Sequence, residues 1–142
     1  MNVFLDTSSL VKLYHNEKDS EYIENSLKNV SAIYLSEIAR LEFVSALWKK
    51  GRMGEIDSQT INKVVNYFEN DIPLYNWIKI DHKLVNEAAI LLKKHGLTGL
   101  RTLDAIQLAS AKSAAETDCL IYSSDKLLNT IFKIENFKVF EH

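Results

Sequence analysis

The chain of 142 residues is long enough for one domain around one core, and with 46 % apolar residues, one proline and four glycines it leaves little room for disorder. Its net charge of −2 excludes a global basic field for gathering nucleic acid, so any such contact must come from local patches. A single cysteine excludes an intrachain disulfide, no apolar run approaches the ~20 residues of a membrane helix, and the first residues lack the basic and apolar regions of a signal peptide.

Those exclusions predict a reduced, cytoplasmic setting with no membrane partner. In chain order, residues 2–5 read as a first strand, and helices follow over about 8–14 and 19–29. Ala32-Ile33-Tyr34-Leu35 reads as a second strand, stopped by Ser36 as an N-cap. The next helix is nearly apolar all round, which predicts extensive burial, and it runs to about Lys50, where Gly51 and Gly54 end it. A helix over about 57–70 is broken by Pro73, and Tyr75 to Ile80 alternate as a third strand. Helices over about 82–95 and 102–115 precede Cys119-Leu120-Ile121-Tyr122, a fourth strand in which Cys119 reads as a small buried residue. A short helix over about 125–132 and a last strand at Phe137-Lys138-Val139-Phe140 complete the pattern. Strands that alternate with helices pair in parallel, which predicts a three-layer α/β sandwich with a mainly parallel sheet of about five strands in one domain, residues 1–142.

The chemistry is expected where acids meet strand ends. Asp6 follows the first strand, is trailed by Thr7, Ser8 and Ser9, and precedes a helix; in open α/β sheets ligands bind at that edge. Tyr122-Ser123-Ser124-Asp125 repeats the arrangement at the fourth strand. Each acid also has a plain structural reading, as a helix cap or turn former. Asp104 falls in the first turn of an apolar, small-residue helix, where the dipole alone favours an acid. Glu42 lies on the nearly apolar helix; its plain reading is a solvated stripe with Ser45 and Lys49. Two like charges about 4 Å apart repel by roughly 4 kcal/mol at an effective dielectric of 20, so four clustered acids would shift one another's pKa or demand a cation. Oxygen ligands favour Mg²⁺ or Mn²⁺. There is no CxxC or HExxH, and His15, His82, His95 and His142 are scattered and expected at the surface, so zinc is not expected. No phosphate-binding glycine loop of the GxxxxGK[ST] or GxGxxG kind occurs. Lys49-Lys50-Gly51-Arg52, Lys93-Lys94-His95 and Arg101 are candidate RNA patches; each also reads as a cation cluster favoured at a helix C-terminus, and for the first two that reading is preferred.

These residues resemble the PIN-domain proteins, in particular the VapC-type toxins of toxin–antitoxin pairs. The opening from Val3 to Tyr14 is similar to their first motif, Ser36 to Glu42 to their second, Leu100 to Ala111 to their third and most specific, and Ser123-Ser124-Asp125-Lys126-Leu127-Leu128 to their fourth. Relatives often have Thr where Ser123 stands. The resemblance covers nearly the whole chain in order. It implies a metal-dependent endoribonuclease in which Asp6, Glu42, Asp104 and Asp125 hold one or two Mg²⁺ or Mn²⁺ ions and are the catalytic set. The ion would acidify a water that attacks the scissile phosphate in line. Thr7, Ser8 and Ser123 would support the acids or touch a phosphate, and Arg101 would contact RNA or pair with a nearby acid. The resemblance also implies a homodimer and a cognate antitoxin whose tail covers the acidic site. The alternatives are a non-toxin RNA-processing nuclease of the same fold, a non-catalytic binding module and a metal-dependent phosphatase; the missing Asp-x-Asp after the first strand weakens the last.

Overall fold

The computed structural model describes residues 1–115 and 118–141. Among them, β1 (Asn2–Leu5), α1 (Thr7–Tyr14), α2 (Ser20–Ser26), β2 (Ala32–Ser36), α3 (Ile38–Arg52), α4 (Ser58–Asp71), β3 (Asn76–Ile78), α5 (His82–His95), α6 (Thr102–Ala114), β4 (Cys119–Tyr122) and α7 (Lys126–Ile134) follow one another. The strands form one parallel sheet in the order β3-β2-β1-β4. No helix of the described residues is long and apolar enough to cross a membrane.

Alternation along β1 builds the layers. Val3 and Leu5 point to one face, where they pack with Leu10, Ile23, Phe43, Leu47, Ile61 and Phe68 of α1 to α4. Phe4 points to the other face, among Leu84 and Leu91 of α5, Leu108 of α6, and Ile131 and Phe132 of α7. β4 follows the same rule, with Ile121 on the second face and Tyr122 on the first. The sandwich is therefore α/β/α. Four helices start at an aspartate that caps them: Asp6 accepts from the Ser9 amide, Asp57 from Thr60, Asp81 from Leu84 and Asp125 from Leu128.

Several expectations need correction. The fifth strand is a single parallel bridge, Val139 to Ile121, with two backbone hydrogen bonds. Asn136 takes a left-handed φ of 70° and the Phe137 amide donates back to the Phe132 carbonyl, so the start of this segment closes α7 and little is left to pair with β4. α3 buries only the stripe Ala39, Phe43 and Leu47, while Leu41 is 71 % exposed, because it covers one face of the sheet from outside. Gly51 lies inside α3: a Cβ there would meet Ile61 Cδ1 at 2.7 Å, so this glycine serves the approach of α4, and Gly54, at a φ of 77°, turns the chain out. Ser36 ends β2 and accepts from the Ile38 amide at 3.3 Å, but Glu37 occupies the cap position.

His95 is not at the surface. It is 4 % exposed, and its Nε2 lies 2.7 Å from Glu135 Oε2, which Lys94 also pairs with, while Lys112 takes Oε1. His82 is exposed, and His142 lies outside the described residues. The last turn of α5 is thus clamped to the end of α7, which spends Lys94 and His95 on Glu135 as a structural cation cluster. Burial opposes ionisation of Glu135, but hydrogen bonds from Lys94, His95 and Lys112 outweigh it and hold its pKa at about 2. A carboxylate depressed in the folded state stabilises above its unfolded value near 4.5 and loses that contribution as pH falls towards 2. Glu135→Gln is expected to destabilise the protein at pH 7 by on the order of 1 kcal/mol, since Lys94 and Lys112 are solvent-screened, with the difference from the unsubstituted protein vanishing near pH 2, read by urea unfolding across pH.

Candidate active site

β1 runs outward to β2 through α1 and α2, whereas β4 arrives on the other side of β1 through α5 and α6. The strand order therefore reverses between β1 and β4, and the carboxyl ends of these two strands flank the crevice where open α/β sheets bind ligands. Asp6 lies there, 4 % exposed. Its amide extends the β1–β4 ladder by donating to the Tyr122 carbonyl at 3.0 Å. Oδ1 accepts from the Ser9 amide at 3.0 Å and the Ser8 hydroxyl at 2.6 Å, and Oδ2 accepts from the Ser123 hydroxyl at 2.5 Å. The Ser124 amide donates to Ser8 Oγ, and Lys12 Nζ donates to Ser124 Oγ at 2.8 Å. Asp125 caps α7 through Oδ1, while its own amide donates to Ser123 Oγ. The cap reading holds for Asp6 and Asp125, and in Asp6 the second oxygen is also held, by the Ser123 hydroxyl.

Glu42 is not on a solvated stripe. Ser45 and Lys49 are exposed, but Glu42 is half-buried, and its Oε1 accepts from Thr7 Oγ1 at 2.9 Å and from Gln107 Nε2 at 2.8 Å. The Gln107 amide also donates to Thr7 Oγ1 at 3.0 Å. These contacts join α3, the start of α1 and α6. Asp104 lies one turn before Gln107, half-buried. Sequence reading missed Gln107, Lys12 and Ser124. The available signal for Gln107 was an amide inside an otherwise apolar helix; for Lys12 it was a cation among the apolar residues of α1.

Electrostatics link all four acids. Burial pushes Asp6 up to about 6; hydrogen bonds from Ser123, Ser8 and the Ser9 amide oppose this, and the charge of Asp125 adds to it. Burial also raises Asp104, Asp125 and Glu42 raise it further, and Arg101 pulls the other way. Arg101 itself is exposed. Among the described residues, no three acid, imidazole or thiol side chains stand close enough to grip one ion directly. The acids interact as a chain, Asp6 with Asp125, Asp125 with Asp104, and Asp104 with Glu42. All four are hard oxygen donors, and their like charges repel, a donor set that fits a hard divalent cation.

A raised carboxyl has a defined stability signature. Asp6 binds its proton more tightly folded than unfolded, so its charged form costs stability above pH 6, and the cost is relieved as pH falls from 6 towards 3.8. In EDTA, unfolding free energy is expected to rise by on the order of 1 kcal/mol between pH 7.5 and pH 5, and Asp6→Asn is expected to remove most of that rise. Equal pH profiles for the two proteins would show that the Asp6 carboxyl is not strained by burial.

The sequence model of the PIN domain matches residues 3–131. Ribonuclease VapC3 of Pyrobaculum aerophilum is 25 % identical over 114 residues, covering 79 % of this chain and 82 % of the relative. Among solved structures, FitAcB from Neisseria gonorrhoeae aligns with a TM-score of 0.73 at 19 % identity, over 99 % of this chain and 97 % of that one. A chain of a toxin–antitoxin complex from Klebsiella pneumoniae aligns with a TM-score of 0.59 at 15 % identity, over 87 % of this chain and 86 % of that one. At these identities the structural likenesses carry the fold. The sequence match carries more, since it runs from β1 into α7 and takes in all four linked acids: the chain belongs to the PIN-domain family.

Proposed function

We propose that this protein is a Mg²⁺- or Mn²⁺-dependent endoribonuclease and the toxin of a toxin–antitoxin pair, acting in the cytoplasm. The observation that carries the reading is the chain of four interacting acids at the β1–β4 switch point, with Asp6 buried between the Ser8 and Ser123 hydroxyls. Support for RNA as the substrate comes from the similarity to Ribonuclease VapC3, and support for an antitoxin partner from the similarity to a chain of a toxin–antitoxin complex. A homodimer is part of the proposal.

Asp6, Glu42, Asp104 and Asp125 would hold one or two Mg²⁺ or Mn²⁺ ions, in part through water. When bound, a hard divalent cation supplies charge neutralisation for the phosphate and acidifies an attacking water. The chain's own residues prepare the site. Ser8 of α1 and Ser123 just past β4 each hold one oxygen of Asp6, and Thr7 holds Glu42. Lys12 spends one N–H on Ser124 and forms no ion pair among the described residues, which leaves donors for an RNA phosphate beside the acids.

Two outcomes test this. Asp104→Asn keeps the side-chain shape but removes a ligand charge, so it is expected to abolish cleavage of total RNA while the protein stays folded. Induced alone, the unsubstituted protein should arrest growth, and the variant at equal soluble level should not. Equal toxicity would exclude the nuclease mechanism; cleavage without growth arrest would exclude the toxin and favour an RNA-processing role. Separately, Lys12→Met is expected to weaken RNA binding irrespective of sequence and to lower the slope of log affinity against log salt by roughly one. An unchanged slope would remove Lys12 from the phosphate contacts.

A further inference from the structure

Gln107 is 3 % exposed in the middle of α6, among Ala105, Leu108, Ala109 and Ala111. Its Nε2 spends both N–H groups on the site, one on Glu42 Oε1 at 2.8 Å and one on Thr7 Oγ1 at 3.0 Å. The amide orientation is fixed chemically, because turning it over would set Oε1 against the Glu42 carboxylate. Thr7 closes the triangle by donating to the same Glu42 oxygen at 2.9 Å. One carboxylate oxygen is thereby held by two donors from two other helices. The price is at the other end of the amide: Gln107 Oε1 is buried with no hydrogen-bond partner. An apolar side chain of this size would remove that unsatisfied carbonyl and fit the surrounding helix face. Stability therefore does not account for the amide; its two donors do.

We infer that Gln107 is a positioning residue, which acts through Glu42 to hold its carboxylate in the orientation that receives the divalent cation. This rests on the reading of Glu42 as one of the acids that hold the ion. Ligand carboxylates are oriented by hydrogen bonds from behind, and removal of such a partner lowers metal affinity by roughly 10–100-fold. Glu42 depends on the device because it stands on α3, apart from the paired hydroxyls that fix Asp6 between β1 and β4. Without Gln107, the Thr7 hydroxyl is the one hydrogen-bond donor left on Glu42 among the described residues.

The test compares the unsubstituted protein with Gln107→Leu and Gln107→Met, which replace the amide with an apolar group of similar size. Three quantities are read: the melting temperature in EDTA, the Mn²⁺ dissociation constant by calorimetry or electron paramagnetic resonance, and RNA cleavage across Mn²⁺ concentration. The expected result is a melting temperature equal to or above that of the unsubstituted protein, with Mn²⁺ affinity reduced roughly 10–100-fold and cleavage recovering at high Mn²⁺. A purely structural amide would instead lower the melting temperature and leave the affinity of the folded protein unchanged. Unchanged Mn²⁺ affinity in both variants overturns the inference, as does a melting temperature lowered enough to explain the lost binding. If the unsubstituted protein binds no Mn²⁺, the nuclease reading fails first and takes this inference with it.

Discussion

Asp6 is a buried carboxylate that ties two strands and a helix together, and the geometry of the site depends on it. Its amide prolongs the β1–β4 ladder, its Oδ1 starts α1, and its Oδ2 takes the Ser123 hydroxyl from the end of β4. Ser8 adds a second bridge, donating to Asp6 and accepting from the Ser124 amide. The strand ends cannot separate without leaving a buried charge short of donors, which is among the more costly defects in a protein interior. The same three donors that hold the carboxylate still leave its pKa raised, because burial outweighs them. A carboxyl kept in that condition costs the fold stability where it is charged.

The rest of the molecule supplies a stiff frame for that edge. Val3 and Leu5 anchor β1 in one apolar layer and Phe4 in the other, so β1 is fixed from both faces. On the first side, Tyr14 at the end of α1 donates to Asp71 at the end of α4, contacts the Tyr75 hydroxyl and packs edge-on against Phe43 and Phe68. On the second, Glu135 gathers Lys94, His95 and Lys112 and closes α5, α6 and α7 together. Charge is thus paired away from the β1–β4 edge, where the acids repel one another. With a net charge of −2 there is no global basic field, and Lys12, hydrogen-bonded to Ser124, forms no ion pair among the described residues.

Much of this was legible from the residues in order. Alternating strand and helix patterns with one proline and few glycines specify a parallel α/β sandwich, because connections of that length place strands side by side in the same direction. An acid immediately after an apolar strand and before a helix specifies both a cap and a position at the carboxyl edge, so Asp6 and Asp125 were identifiable by local rules alone. Glu42 and Asp104 were readable only as members of motifs, since an acid on a helix has a sufficient local explanation.

What the tertiary structure decided is which of those residues meet. Local patterning carries no information about partners 35, 65 or 117 positions away, the separations of Thr7–Glu42, Gln107–Glu42 and Ser123–Asp6. Gln107 and Lys12 acquire their hydrogen-bond partners only once α6 and β4 are packed beside α1. His95 reads as a surface residue until α7 delivers Glu135 to it. The last segment reads as a strand by composition, yet the closing turn of α7 uses its first residues and leaves one bridge. The sequence by itself determined the elements, their order and the two acids at strand ends, because these follow from periodicity and capping. Only the folded chain decided the linkage of the four acids and the donors that orient them, because burial and long-range hydrogen bonds exist only after packing.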